Sequence, residues 1–374
     1  MPDIQAQPRI LIVRLGAMGD ILHALPAVAA LRAAHPEWWM GWAIEPRWRA
    51  LLCAASKSED YGRDAFAMPL VDRIHRVNAK RWSRNLYRPS IVSNIMVTRT
   101  GIREERYDVA LDLQGALRSA IIGLWSNAPR RIGEATPREY AAHFLFNQRV
   151  PTHATHVIDQ ACEVAAAIAG DELTAIPPAL PRDEKAESWC DHFLNSSRTQ
   201  RFAILNPGAG WGAKRWPAER YGQVAALLHE SGYAALINTG PDEAALAETL
   251  NKASGNTAVR MECDLGQLIA ITRRASLVIA GDTGPLHLAS ALRRPVVGIF
   301  GPTDPARNGP YTFDGSNRSI RSNDSNKSNY RVLRSPESKR DHARRVQPEA
   351  GLLTITVQDV FAAAVELLRE SETA

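Results

Sequence analysis

A glycine-containing turn near the N-terminus carries the first candidate for chemistry. Asp20 closes the segment Leu15-Gly-Ala-Met-Gly-Asp20, which follows an apolar run over residues 10–13. Glycines between a strand and a helix let the backbone turn sharply and approach a ligand. The spacing is not the G-x-G-x-x-G of dinucleotide-binding folds. Two interpretations stay open for Asp20: a helix cap, or a carboxylate that acts as a general base.

A second turn combines an aspartate, a threonine and a glycine with a proline. In Gly281-Asp-Thr-Gly-Pro-Leu-His287, Pro285 has the position that is favoured at the start of a helix. The free N–H groups of a first helical turn, together with the helix dipole, suit an anion such as a diphosphate. Thr283 adds a hydroxyl donor. An ordinary capped turn is the alternative, and His287 is equally consistent with a core histidine.

Two further segments place polar residues between an apolar run and a predicted helix. Three glycines precede Lys214 in Asn206-Pro-Gly-Ala-Gly-Trp-Gly-Ala-Lys-Arg-Trp-Pro217, so backbone amides could cradle phosphates while the ammonium supplies a point charge. The order G-A-K-R excludes the P-loop, which requires G-x-x-x-x-G-K-[ST]. Glu243 ends Thr239-Gly-Pro-Asp-Glu243, where it could accept hydrogen bonds from ribose hydroxyls. An acidic residue in the first turn of a helix is the alternative there.

The elements that position these residues form two series. Short apolar runs alternate with helical patterns on both sides of the stretch Ile176-Pro-Pro-Ala-Leu-Pro-Arg-Asp183, whose three prolines indicate a linker. We therefore predict an α/β protein with two doubly wound parallel sheets, in domains 1–180 and 181–350. Residues 312–350 are expected to be a long basic loop. A last helix is predicted within 351–374, packing back on the first domain.

Ligands of open α/β sheets bind at the carboxyl ends of the strands. The segments 207–214, 240–243 and 282–284 all follow predicted strands of the second domain. We therefore expect them to converge on one nucleotide diphosphate.

Composition and charge limit the class of protein. The chain has 374 residues, of which 45% are hydrophobic and 23% charged, which excludes a disordered or fibrous protein. Its net charge of +5 is concentrated in residues 73–106 and 316–346, which predicts anionic partners for these two segments. Four separated cysteines without a C-x-x-C pair predict a reducing compartment. With no leader or membrane span in view, we expect a cytoplasmic protein at a membrane surface.

Five separated motifs resemble the ADP-heptose:lipopolysaccharide heptosyltransferases. They are Met18-Gly-Asp-Ile-Leu-His-Ala-Leu-Pro26, Leu111-Asp-Leu-Gln-Gly115, Ala213-Lys-Arg-Trp-Pro217, Gly281-Asp-Thr-Gly-Pro-Leu-His287 and Phe300-Gly-Pro-Thr-Asp304. The first two are most like the first heptosyltransferase of the pathway, whereas the loop before Pro217 is closer to the second.

The resemblance implies a GT-B fold, with two Rossmann-like domains and a deep cleft between them. It implies metal-independent, inverting transfer of L-glycero-D-manno-heptose from ADP-heptose to Kdo of Kdo–lipid A, without a cofactor. The alternatives are a heptosyltransferase II or III that adds a later heptose, and a nucleotide-sugar epimerase of the same fold. The anionic inner-membrane surface is expected as a further partner. Nucleic acid is not, because no helix-turn-helix, RRM or zinc pattern is found.

Residue roles are carried over from the same resemblance. Asp20 matches the catalytic base. The donor-binding set is Lys214, Glu243, Asp282, Thr283, Gly284 and His287. The acceptor-binding set is Gly19, Asp112 and Gln114.

Overall fold

The computed structural model describes residues 7–84, 87–196, 199–313, 329–341 and 345–373. The chain divides into two units, Met1–Asp183 and Glu184–Ala374. The division lies three residues beyond the expected boundary, at the end of the proline-containing stretch.

The first unit is built on a six-stranded parallel sheet of order β3-β2-β1-β4-β5-β6. Its strands are β1 (Arg9–Val13), β2 (Trp39–Ile44), β3 (Arg73–Arg76), β4 (Val109–Asp112), β5 (Arg130–Glu134) and β6 (Gln148–Val150). Its helices are α1 (Met18–Ala34), α2 (Ala79–Arg84), α3 (Pro89–Glu104), α4 (Leu117–Trp125) and α5 (Val157–Ala169), with 3₁₀ turns at Pro46–Leu51 and Tyr140–Leu145. The central strands are apolar and almost fully buried, as parallel strands covered on both faces must be. Helix α1 continues through Pro26.

The second unit repeats the design with a parallel sheet of order β12-β11-β10-β7-β8-β9. Its strands are β7 (Phe202–Asn206), β8 (Ala234–Asn238), β9 (Val259–Met261), β10 (Leu277–Gly281), β11 (Val296–Phe300) and β12 (Tyr330–Arg334). Its helices are α6 (Glu184–Ser196), α7 (Ala218–Glu230), α8 (Ala244–Ala253), α9 (Leu265–Arg274), α10 (Gly284–Ala291), α11 (Pro305–Asn308), α12 (Ala350–Thr354) and α13 (Val357–Thr373).

The region 312–350, predicted as one long loop, contains strand β12. The strand pairs in parallel with β11, and its buried Arg331 binds Glu366 at 2.8 Å and Glu370 at 2.6 Å. Both carboxylates lie on α13, more than thirty residues further along the chain. Strand β12 is therefore stabilised by contacts with distant parts of the chain, and the local hydrophobic periodicity does not predict it.

The last helix belongs to the second unit. The apolar face of α13, including Val360, Ala364 and Leu367, lies in one core cluster with α7 and with strands of the second sheet. Packing of this helix on the first unit as well stays a prediction. Its buried face is complementary to the sheet that its own unit forms.

Candidate active site

Strand order brings three of the predicted segments to one edge of the second sheet. Strand β7 lies between β10 and β8, so the segments after all three strands are neighbours. These segments carry Lys214, Glu243 and Asp282. The three segments are therefore neighbours, as predicted, and the nucleotide diphosphate between them stays a prediction.

The centre of this edge is a buried cluster of three charged or titratable side chains. The Lys214 ammonium contacts one carboxylate oxygen of Asp282, and His287 Nε2 lies 3.1 Å from the other. Each side chain is at most 12% exposed. Burial alone would raise the pKa of Asp282, but His287 and Lys214 together hold it well below its usual range. The carboxylate is therefore ionised, and it fixes a buried cation beside the sheet edge.

Helix α10 begins directly beside this cluster. Thr283 precedes the helix, and its side chain makes no capping hydrogen bond there. Instead, the Thr283 hydroxyl donates to the Gly281 carbonyl at 3.2 Å. The N–H groups of Gly284 and Leu286 in the first turn have no side-chain acceptor in the described structure, whereas Pro285 has no N–H group. Such a helix start attracts anions through its N–H groups and its dipole.

Two amide side chains that the sequence reasoning missed extend the cluster. Asn206 Nδ2 lies 3.3 Å from the Thr283 hydroxyl, and Asn238 Nδ2 donates to Asn206 Oδ1 at 2.7 Å. Both asparagines are the last residues of buried strands, β7 and β8. A polar residue that ends an apolar strand was the signal that could have found them.

Glu243 lies at the third junction and makes the contact expected of an acidic residue at a helix start, whereas its binding of ribose stays a prediction. Its Oε2 accepts a hydrogen bond from the Gly240 N–H at 2.9 Å, as an acidic residue at a helix start does. Its Oε1 lies 3.5 Å from Arg215 of the glycine-containing loop. A Cβ atom at Gly208 would come within 2.2 Å of the Glu243 carboxylate, so only glycine permits this approach. The glutamate thus connects two of the three junctions.

In the first unit, Asp20 is a partly exposed carboxylate at the start of α1. Its Oδ2 accepts a hydrogen bond from the Ala17 N–H at 3.0 Å, and its Oδ1 lies 3.2 Å from Arg14 Nη2. The side chain is 41% exposed. Asp20 therefore caps its helix and still presents oxygen to solvent, so the two interpretations do not exclude each other. Gly19 lies beside it in the first turn.

Asp112 and Gln114 lie at the end of the neighbouring strand and face their own backbone. Asp112 Oδ1 accepts hydrogen bonds from the N–H groups of Gln114 (2.7 Å) and Gly115 (2.8 Å), and Gln114 Oε1 accepts from the Leu15 N–H at 2.8 Å. Burial raises the pKa of Asp112 to about 6, against the lowering effect of its hydrogen bonds. Asp112 thus holds its own turn, and Gln114 connects that turn to the one after β1. Arg14 adds a second connection by donating to the Leu113 carbonyl.

The two basic segments are partly neutralised by acidic neighbours. In 73–106, Arg73 pairs with Glu105 and Arg76 with Asp60. Residues 316–328 and 342–344 of the second segment lie outside the described residues. Of its remaining arginines, Arg331 pairs with α13, Arg340 with Asp304 and Arg345 with Asp341. For the arginines of these segments that form no ion pair with an acidic side chain, an anionic partner remains a prediction.

Residues 96–339 match the model of glycosyltransferase family 9 (heptosyltransferase). The chain belongs to this family. Over 315 residues it is 26% identical to lipopolysaccharide heptosyltransferase 1 of Escherichia coli K12, covering 81% of this chain and 91% of that protein. Over 314 residues it is also 26% identical to lipopolysaccharide heptosyltransferase 2 of the same strain, covering 79% and 84%.

Solved structures of the family have the same architecture. Escherichia coli heptosyltransferase WaaC with ADP aligns with a TM-score of 0.71 at 23% identity, covering 96% of this chain and 99% of that one. A glycosyltransferase family 9 protein from Veillonella parvula aligns with a TM-score of 0.77 at 20% identity, covering 97% and 98%. The predicted GT-B fold with two Rossmann-like units is thereby confirmed.

Two predicted absences concern metals and membranes. Within the described ranges, no group of three or more His, Cys, Asp and Glu side chains could hold a metal ion. In the same part of the chain, no helix is both long and apolar enough to cross a bilayer. Metal independence stays a prediction.

Proposed function

We propose that the protein is an inverting heptosyltransferase that moves L-glycero-D-manno-heptose from ADP-heptose to Kdo of Kdo–lipid A. The observation that carries this proposal is the buried Lys214–Asp282–His287 cluster beside the start of α10. It supplies fixed positive potential at the sheet edge where α/β proteins bind nucleotides. Family membership supports a transferase over a nucleotide-sugar epimerase.

The donor is proposed to bind at this edge of the second sheet. Relatives of similar fold have been solved with ADP and with ADP-2-deoxy-2-fluoro heptose. In our proposal the diphosphate faces the N–H groups of Gly284 and Leu286, and Lys214 balances the charge of the leaving ADP. Asp282 and Thr283 are assigned to the heptose and diphosphate, and Glu243 to the ribose. This electrostatic arrangement is proposed to act without a divalent cation or a cofactor.

Asp20 is the proposed base in the first unit. It takes the proton from the acceptor hydroxyl while that oxygen forms a bond to the anomeric carbon of heptose. The bond from that carbon to the phosphate oxygen breaks, and ADP leaves with the electron pair. The 41% exposure of Asp20 supports access by an acceptor, and its bonds to Arg14 and Ala17 support a fixed orientation. Asp112 and Gln114 would act on the acceptor indirectly, since their oxygens hold the turns.

A later heptose is the second candidate for the transferred unit. Relatives named heptosyltransferase 1 and heptosyltransferase 2 are equally identical to this chain, at 26%. The first step is preferred because the motifs over residues 18–26 and 111–115 resemble the first enzyme. We place the reaction at the cytoplasmic face of the inner membrane, where a lipid-linked acceptor requires a protein at the bilayer surface.

One assay separates these possibilities. The purified protein is incubated with ADP-heptose and either Kdo–lipid A or its monoheptosylated form, and the acceptor mass and ADP release are measured. A mass gain of one heptose on Kdo–lipid A is the expected result. Transfer to the monoheptosylated acceptor alone would assign a later step. Loss of ADP-heptose without transfer would indicate an epimerase, and no reaction would refute the proposal.

A further inference from the structure

Helix α4 has an apolar stripe on its solvent side. Leu117 and Leu124 are 40% and 45% exposed, and the half-buried Ile121 lies between them at helical spacing. The opposite side of the helix, with Ile122 and Gly123, is already buried in the unit. A helix that is apolar on both sides is normally covered on both sides. The outer stripe therefore lacks its cover in the described structure.

The 3₁₀ turn Tyr140–Leu145 continues this stripe. Tyr140 and Phe144 are each 69% exposed, and their rings contact each other edge to face with centroids 5.5 Å apart. The turn packs against α4, and Glu139 just before it accepts a hydrogen bond from the Leu117 N–H at 2.8 Å. We call the set Leu117, Ile121, Leu124, Tyr140 and Phe144 the apolar patch.

Arginines accompany the apolar patch. Arg118 and Arg138 are exposed, and within the ranges that the structure describes neither guanidinium pairs with an acidic side chain. The adjacent helix α3 exposes Met96 at 52% together with Arg99 and Arg103. Exposed aromatic and aliphatic side chains beside unpaired cations are typical of proteins that lie on an anionic bilayer.

The patch lies at the edge of the sheet where the proposed base lies. Strands β1, β4 and β5 are neighbours and parallel, and they lead into the segments that carry Asp20, Leu117 and Tyr140. The Gln114 side chain binds the Leu15 N–H and so joins the first two of these segments. A surface that rests on this edge would bring lipid headgroups towards Asp20.

We infer that the apolar patch and its arginines are the face by which this protein docks on an anionic lipid bilayer. Aliphatic and aromatic side chains enter the boundary between headgroups and acyl chains, and Arg118 and Arg138 bind lipid phosphates. This inference deepens the proposed function, since a lipid-linked acceptor is what makes such docking useful. It differs from our sequence-based expectation, which placed the contact on residues 73–106 and 316–346.

Vesicle cosedimentation tests the docking face directly. The full chain is mixed with phosphatidylcholine vesicles that contain either no anionic lipid or about 30% phosphatidylglycerol. The wild type should bind the anionic vesicles, and Tyr140→Ser combined with Phe144→Ser should weaken this binding by about tenfold or more. Phe66→Ser is the matched control, because Phe66 is also 69% exposed in the same unit and lies outside the patch.

Charge-reversal variants test the arginines independently of the aromatic rings. Arg118→Glu with Arg138→Glu should also weaken binding by about tenfold, whereas the control pair Arg182→Glu with Arg293→Glu, of equal charge change, should bind like the wild type. All variants should keep the circular dichroism spectrum and melting midpoint of the wild type. Should the aromatic pair fail to fold, the arginine pair decides.

Three outcomes would overturn the inference. In the first, both patch variants bind anionic vesicles as tightly as the wild type does. In the second, the wild type binds neutral vesicles as tightly as anionic ones. In the third, the wild type is a dimer that the aromatic substitutions abolish, while vesicle binding persists. A water-soluble acceptor headgroup without acyl chains separates this inference from the proposed function. Turnover of that headgroup should be unchanged in the patch variants, and no turnover by the wild type would refute the proposed function alone.

Discussion

The two units use polar side chains at their strand ends in opposite ways. In the first unit, the oxygens of Asp112 and Gln114 bind main-chain N–H groups of the turns beside them. In the second unit, Lys214 from one loop and His287 from the first turns of α10 both bind the Asp282 carboxylate. The first arrangement fixes a backbone, whereas the second fixes a distribution of charge.

The difference matches what each half of the proposed reaction requires. A general base needs one carboxylate held at a fixed place and open to the acceptor, and Asp20 at 41% exposure is such a group. A departing diphosphate needs positive potential that is in place before charge develops. We expect Lys214, held in place by Asp282, to face the donor phosphates when ADP-heptose binds.

Asp20→Asn breaks the first half of this comparison and should have the largest effect. Transfer should fall about 10²–10⁴-fold, because the amide cannot take the acceptor proton, while ADP-heptose binding by calorimetry stays within about twofold. The amide oxygen can still accept from Ala17, so the helix cap survives. Asp359→Asn is the control, since Asp359 Oδ2 binds the Thr356 N–H at 2.9 Å in the same capping geometry. Near-normal turnover in the Asp20 variant would leave that residue a cap and no more.

Lys214→Met tests the second half of the comparison, because it removes the positive charge that the second unit is proposed to place beside the leaving diphosphate. We expect kcat/KM for ADP-heptose to fall about 10²–10³-fold, since one positive group facing the leaving phosphate is lost. The variant should also lose about 3 kcal/mol of unfolding free energy, because a buried Asp282 carboxylate is left with a single partner. Steady-state kinetics and urea unfolding measure the two effects.

Lys252→Met is the control for the lysine substitution, because Lys252 forms an exposed pair with Glu248. Such pairs contribute at most about 1 kcal/mol, so its kinetics and stability should be close to those of the wild type. If the two lysine variants behaved alike, the buried cluster would have no special role.

Asp112→Asn sharpens the comparison, because it tests how the Asp112 carboxylate, which binds backbone N–H groups, affects the pH dependence of the unfolding free energy. The native pKa of Asp112 is raised to about 6, so the native state holds this proton more tightly than the unfolded chain does. The contribution of this group to the unfolding free energy is therefore fully present below about pH 4 and is lost as the pH rises to about 6. Relative to the variant, the wild type should lose about 3 kcal/mol of unfolding free energy between pH 4 and pH 7.

Asp64 provides a control with the opposite sign. Its Oδ1 accepts from the N–H groups of Phe66 and Ala67, the geometry that Asp112 has, but the carboxylate is exposed. The hydrogen bonds from Ala67 and Phe66 lower the pKa of Asp64. Its stabilisation is therefore present above the unfolded pKa and lost as the pH falls. Parallel pH profiles for Asp64→Asn and Asp112→Asn would contradict the assignment of burial as the cause.

Sequence patterns predicted the central strands of both sheets, because buried parallel strands are short apolar runs followed by glycine-containing turns. The outer strands β3, β5, β6, β9 and β12 were not predicted. The same turns located Lys214 and Asp282, since they come at the carboxyl ends of strands. What was missed depends on partners far along the chain. Strand β12 is held by β11 and by the pairs from Arg331 to α13, and Asn206 meets Asn238 only once two strands are side by side.

The smallest expected effect is that of metal removal. If Lys214 and the first turn of α10 supply the positive potential, EDTA in excess over any trace metal should leave kcat and the KM for ADP-heptose unchanged. Added magnesium should restore nothing, because nothing was lost. The measurement is ADP release in the acceptor assay before and after chelation, with the Lys214→Met protein in parallel. Because that variant lacks the ammonium, rescue of its turnover by magnesium would show that positive charge at this place is what matters. Loss of wild-type activity on chelation with recovery in magnesium would instead show that a cation, and not the cluster, balances the leaving diphosphate.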